Sequence, residues 1–202
     1  MIIYLHGLNS AGTSHKAAVL RERLAPLEVV SPTYPAQSAE QAVASLHGQL
    51  TALLQERESS TPRLLVGSSM GGFYGAWLAH RLGFDHLVMI NPALRPWELL
   101  QQVEGWQYNE AKNERYYLSA EMVAATQAFA TEPAEIGLPV TLLHDKGDEL
   151  IDYRQAVAAY DGFADIRLFE GGSHAFGHME EAVAIIGGIH RTLEAQKTTK
   201  EA

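Results

Sequence analysis

The sequence contains no cysteine. Disulfides, thiolate metal sites and a cysteine nucleophile are therefore excluded at the outset. No apolar run approaches the roughly 18 residues that a membrane-crossing helix requires. Met1 leads directly into Ile2-Ile3-Tyr4-Leu5, without a basic n-region or a small-residue cleavage site, so a cytoplasmic protein is the expectation. Positive charge is scarce as well: 15 Lys and Arg stand against 24 Asp and Glu, a formal charge of −9. A nucleic-acid binder carries a basic patch, and the one local cationic bias lies at the end of the chain, at Lys197 and Lys200. No nucleic-acid partner is expected. Strong attraction of anionic acyl carriers would need a local basic rim to offset the acidic whole.

What is present is a globular composition, 47% apolar and 19% charged over 202 residues, sufficient for one well-buried core. Strand-like and helix-like periodicities alternate, the pattern of a parallel sheet with crossover helices. Strands are expected at 2–5, 27–30, 64–66, 87–90, 140–143 and 166–169. Ser14 is placed to cap a helix carrying Ala17, Leu20 and Leu24. Ser38 and Gln41 have capping-box spacing ahead of Val43, Leu46, Leu50, Leu53 and Leu54 on one face. Met70, Phe73, Tyr74, Trp77 and Leu78 fit the buried face of a third helix, which Gly83 ends. Further helices are predicted over 152–161 and 179–195, giving one domain over 1–195 and a polar, frayed tail over 196–202. Residues 91–138 break this rhythm. They form an inter-strand insertion expected to shape a pocket, with Trp97 and Trp106 as candidate substrate contacts.

Gly67-Ser68-Ser69-Met70-Gly71 fits G-x-S-x-G between a predicted strand and a predicted helix, the placement a nucleophile elbow requires. Ser69 would then sit on a strained turn, and side chains at positions 67 and 71 would collide with the neighbouring strand and helix. The helix N-terminus would aim free N–H groups at the reacting oxygen. The alternative is a glycine-rich βα turn that only packs closely or holds a phosphate, but neither G-x-G-x-x-G nor Gly-Lys-Ser/Thr follows. Ser68, at an x position, is expected to point away.

A serine hydroxyl needs an adjacent base, itself oriented by a carboxylate, in the chain order Ser, acid, His. Of nine histidines, His174 lies between the last predicted strand and the last helix, where that base belongs. His178 would make an i, i+4 pair with it for a metal, but no third ligand and no H-E-x-x-H accompanies them, so no metal is expected. After the fifth strand, His144-Asp145-Lys146-Gly147-Asp148-Glu149 offers two aspartates. Asp148 is the expected acid, because Gly147 lets the turn present it to the sheet's carboxyl edge. Its alternative is a solvated turn residue. Asp145 is expected to cap the turn, and Asp152 the next helix. The backbone N–H groups of Leu8 and Met70 are the expected oxyanion hole. His6 is expected to order the Leu8 loop rather than serve as a second base. Together these signals describe the α/β-hydrolase fold, a mainly parallel sheet of about six strands with helices on both faces.

Five stretches carry a closer likeness: Tyr4-Leu-His-Gly-Leu-Asn-Ser10, Gly67-Ser-Ser-Met-Gly-Gly-Phe-Tyr74, Asn91-Pro-Ala-Leu-Arg-Pro96, Gly147-Asp-Glu-Leu-Ile-Asp-Tyr-Arg154 and Glu170-Gly-Gly-Ser-His-Ala-Phe176. As a set they resemble the YqiA-type esterases, small bacterial α/β-hydrolases. The resemblance implies a trimmed fold without the antiparallel first strands of larger relatives. It also implies hydrolysis of small carboxylic esters or thioesters, with no metal or organic cofactor. Leu8 and Met70 stand where Phe and Leu are expected, and both act through backbone N–H. A dehalogenase or epoxide hydrolase would need an aspartate at the elbow. A different class is a non-catalytic binding protein on the same fold, which would usually have lost a triad member.

Overall fold

The computed structural model describes residues 1–58 and 60–201, the side chains of Lys200 and Glu201 excepted. The first half alternates regularly: β1 (Ile2–Leu5), α1 (His15–Arg23), β2 (Val29–Val30), α2 (Ala39–Gln55), β3 (Leu64–Ser68), α3 (Met70–Arg81) and β4 (His86–Ile90). The insertion follows, with α4 (Pro96–Leu100), a 3-10 turn over Gln101–Val103, the hairpin β5 (Gly105–Asn109) and β6 (Glu114–Leu118), and α5 (Ala120–Ala125). The chain then returns to the sheet through β7 (Val140–Asp145), α6 (Tyr153–Tyr160), β8 (Asp165–Phe169) and α7 (Met179–Glu201).

Six strands form one parallel sheet in the order β2-β1-β3-β4-β7-β8. Alternation with period two divides their side chains between two cores. Ile3, Leu5, Leu65, Leu87, Met89 and Leu142 meet α2, α3 and α6 on one face. Ile2, Tyr4, Leu64, Val66, Val88, Ile90 and Leu143 meet α1 and α7 on the other. This order has a switch point between β1 and β3. The chain leaves β1 toward the α1 face and leaves β3 toward the α3 face, so the two loops diverge. A crevice opens at the carboxyl ends of these strands, where ligands of open α/β sheets bind.

Several local details differ from the sequence reading. The second strand is only Val29–Val30, because Leu27 N–H turns back to Leu24 C=O at 2.8 Å. Ser38 precedes α2 without making a side-chain cap bond. In the tail, α7 continues as helix to Glu201, and Lys197 Nζ reaches Asp85 at 2.7 Å and Thr61 C=O at 3.0 Å. Ala202, the last residue of that predicted tail, lies outside the described residues. The hairpin in the insertion was not foreseen, since Trp106, Tyr108 and Tyr117 face outward and only Tyr116 packs on the core, the reverse of a core strand. Among the described residues no helix is long and apolar enough to cross a membrane.

Candidate active site

Ser69 links β3 to α3 at φ +54° and ψ −120°, a backbone conformation that L side chains rarely adopt. The turn is held from both sides. Ser69 N–H donates to Ile90 C=O at 3.0 Å, and its own C=O accepts from Gly72 and Ala93 N–H. A Cβ at Gly67 would lie 2.2 Å from Gly71 O, and one at Gly71 would lie 2.1 Å from Leu5 O. The two flanking glycines therefore allow strand and helix to approach closely enough to force the bend.

His174 stands in the loop between β8 and α7, and its Nε2 lies 3.0 Å from Ser69 Oγ. Its Nδ1 lies 2.9 Å from Asp148 Oδ2, so the ring bridges the serine and the carboxylate. Asp148 has a fully buried side chain. Its Oδ1 accepts from Leu150 and Ile151 N–H, each at 2.9 Å, and His144 Nε2 faces Oδ2 at 3.5 Å. Burial pushes the carboxyl pKa up, yet hydrogen bonds from His144, His174 and Ile151 outweigh it and hold the group well below the usual carboxylate range. The solvated-turn alternative for Asp148 does not fit this environment. Both ring nitrogens of His174 are engaged, and His178 gives its Nδ1 to Asp145 at 2.7 Å. Among the described residues no group of three or more His, Asp or Glu is arranged to hold a metal.

Leu8 and Met70 both border the cavity beside Ser69. Met70 opens α3, so its N–H has no intrahelical acceptor. Leu8 N–H has no acceptor among the described residues. The loop that carries Leu8 is anchored by His6, which is fully buried and does not border the cavity. His6 Nδ1 donates to Gly7 C=O at 2.8 Å, Nε2 accepts from Tyr34 N–H at 3.4 Å, and the ring stacks on Tyr34. Burial lowers its pKa, which keeps the ring neutral in these roles. Ser68 also borders the cavity, against the expectation that it faces away, but it is Ser69 that His174 reaches.

The histidine loop is held by two residues to which the sequence reading gave lesser roles. Asp145, the last residue of β7, is fully buried and caps this loop rather than its own turn. Its Oδ2 accepts from Gly177 N–H at 2.6 Å and Ser173 N–H at 3.2 Å, while Oδ1 takes His178. Asn91, directly after β4, donates from Nδ2 to Ser173 C=O at 2.9 Å and accepts Asp145 N–H at 2.9 Å. Glu149 adds an acceptor for His174 N–H at 2.9 Å. Two signals pointed to Asn91: a polar residue immediately past the carboxyl end of a parallel strand, and its place at the head of the Asn91–Pro96 stretch that carries the family likeness. The role of Gly147 also differs: a Cβ there would meet Gly172 O at 2.7 Å, so it permits close packing of two loops rather than an unusual turn.

The cavity at Ser69 has a volume of about 650 Å³. The insertion does form part of its wall, but not through the predicted tryptophans. Pro96, Leu99, Leu100 and Val103 border it, at i, i+3, i+4 and i+7, and Gln107 adds to them. Trp97 falls one position off that face, packs edge-on to Phe73 and lines a second cavity behind α3. Trp106 alternates with Gln107 on β5, so it points to solvent and is 65% exposed.

The Asp145 clamp has a direct consequence. Asp145→Ala removes the acceptor for three donors at once and is expected to cost about 3 kcal/mol, roughly 10 °C in Tm at this chain length. Asp145→Asn retains one oxygen and should lose much less. Hydrogen exchange will show it: the Ser173 and Gly177 amides exchange faster in Asp145→Ala and stay protected in Asp145→Asn. Unchanged protection in Asp145→Ala would remove Asp145 from this role.

Solved structures share this architecture. Est1E from Butyrivibrio proteoclasticus superposes with a TM-score of 0.77 at 16% identity, over 96% of this chain and 88% of Est1E. Alpha/beta hydrolase domain-containing protein 10 from mouse gives 0.72 at 18% identity, over 95% of this chain and 90% of its own. The Paleococcus ferrophilus monoacylglycerol lipase gives 0.69 at 18% identity, over 96% and 93%. At such identities the likeness is one of fold, and the fold is that of the α/β-hydrolases. The model of the family described as "Uncharacterised protein family (UPF0227)" matches residues 1–188, and the chain accordingly belongs to this family, the YqiA group that its motifs resemble.

Proposed function

We propose that this protein is a serine hydrolase that cleaves carboxylic esters or thioesters through an acyl-enzyme on Ser69. The observation that carries the reading is the continuous contact from Ser69 Oγ through His174 to the buried Asp148, on a positive-φ elbow that opens into a cavity. Structural neighbours that include Est1E and a monoacylglycerol lipase support ester chemistry.

In this mechanism neutral His174 accepts the Ser69 proton at Nε2 as Oγ attacks the acyl carbon. Negative charge then develops on the carbonyl oxygen, and the N–H groups of Leu8 and Met70 are the donors for it. Collapse breaks the bond to the alkoxide or thiolate, which leaves with the proton from His174. Water then attacks the acyl carbon and gives a proton to His174, and collapse breaks the bond to Oγ, which takes that proton back from His174 as the carboxylic acid leaves. Asp148 stays ionised throughout. It holds the ring with Nε2 toward Ser69 and stabilises the imidazolium formed at each proton transfer. The apolar wall of Leu99, Leu100 and Val103 is the place for the acyl chain or an apolar leaving group.

Ser69→Ala should lower kcat on a p-nitrophenyl ester by about 10⁶, while Ser68→Ala retains most activity. Equal loss in a folded Ser68→Ala would shift the elbow by one residue. Because Asp148 is held ionised well into acid, one protonation shapes the acidic limb. The logarithm of kcat/KM should rise with slope one on the acidic side, then level off. A slope of two would bring in a second group. Leu99→Trp should shift preference toward short acyl chains by about tenfold, roughly the value of one to two methylenes of apolar burial, whereas Trp106→Ala should leave the chain-length profile unchanged. The reverse pattern, read on a series of p-nitrophenyl esters, would return the pocket wall to the hairpin.

A further inference from the structure

Lys16 has no part in the chemistry above, yet it borders the Ser69 cavity together with Ser14 and His15 at the start of α1. Among the described residues it makes no ion pair and no hydrogen bond. The contrast with its own kind is clear: Lys112, Lys146 and Lys197 each reach a carboxylate. Among the described residues no Asp, Glu or Arg borders the cavity, and Lys16 is the cationic side chain on its wall besides the histidines. Lys16 is half-buried. An ammonium drawn partly out of water has lost hydration that no direct hydrogen bond or ion pair replaces.

Two carboxylates lie close enough to act on it, and neither is free to pair. Burial lowers the Lys16 pKa, and Asp145 and Asp148 draw it back up. Asp148 is committed to His174, Leu150 and Ile151, and Asp145 to Ser173, Gly177 and His178. They favour the charged lysine without satisfying it. Toward the cavity, the positive end of α1 adds to the positive potential that Lys16 presents. A cavity with an apolar wall at Leu99, Leu100 and Val103 and one unpartnered cation elsewhere on its surface suits a ligand with an apolar part and an anionic part.

We propose that the substrate is an ester or thioester bearing an anionic group, a carboxylate or a phosphate monoester, which Lys16 binds within the Ser69 cavity. This rests on the hydrolase reading and narrows it to a substrate class. The formal charge of −9 does not oppose it at contact range. Charges farther away than about 8 Å are largely screened at physiological ionic strength, and the nearby Asp145 and Asp148 are buried and filled with donors, which leaves the ammonium as the charge on the cavity wall.

The test compares three p-nitrophenyl esters matched in length, ending in a methyl group, a carboxylate or a phosphate monoester. The reading is the ratio of kcat/KM for each charged ester to that for the neutral one. Lys16→Met keeps the apolar stem and removes the charge, so any packing role of the stem is preserved. The ratio is expected to fall about tenfold or more in Lys16→Met, the size of one charge-assisted contact, and further in Lys16→Glu. The ester whose ratio falls more identifies the anion. Ratios within twofold of wild type in both variants would overturn the proposal, while turnover of the neutral ester that Ser69→Ala abolishes would leave the hydrolase reading standing. If none of the esters is turned over by the wild type, both fall together.

Discussion

A single carbon atom is what the structure cannot accommodate at two points around Ser69. A Cβ at Gly67 would strike the backbone of α3, and one at Gly71 would strike the end of β1. Their absence lets β3, α3 and β1 approach at backbone distance, and this closeness forces Ser69 into a positive-φ conformation. The same geometry places the hydroxyl at the carboxyl edge of the sheet. It also sets the N-terminus of α3 directly behind it. Every further element of the site is arranged around that fixed point. The strain costs on the order of 1–3 kcal/mol, which the buried cores on either side of the sheet offset.

Around this elbow the protein keeps two aspartates from β7 and its following turn in low-dielectric surroundings. A carboxylate there is tolerated only when its oxygens are filled with donors. Asp148 meets this with two backbone N–H groups and two histidines, and it turns one of them toward Ser69. Asp145 meets it with the backbone of the histidine loop itself. One orients the ring and the other orients the chain that carries the ring. Asn91 joins them by bridging the end of β4 to both. The position of His174 is thus fixed from several sides, as the proposed base acting through one short contact requires.

Much of this was legible in the sequence because its causes are local. Short continuous apolar runs marked the sheet, and G-x-S-x-G between strand and helix marked Ser69. The order of acid and base singled out Asp148 and His174 as the pair that the structure now brings together. What could not be read depends on contacts across the chain. Asp145 meets Ser173, Gly177 and His178 from 28 to 33 residues away, and nothing near it in sequence announces that loop. The insertion misled for a different reason. Its most conspicuous residues, Trp97 and Trp106, were read as pocket wall because large aromatics often serve there. Helical and strand periodicity instead turn Leu99, Val103 and Gln107 to the cavity and carry the tryptophans away from it. Lys16 was likewise hidden, since a net charge says nothing about where one cation is left unpaired.

The central claim is that His174 makes Ser69, among all the hydroxyls of the chain, a nucleophile. Intact-mass measurement after treatment with a fluorophosphonate, followed by peptide mapping, tests it most directly. The account predicts one adduct per chain, located on Ser69 and lost in His174→Ala. An unmodified chain, or an adduct on any other residue, would contradict it.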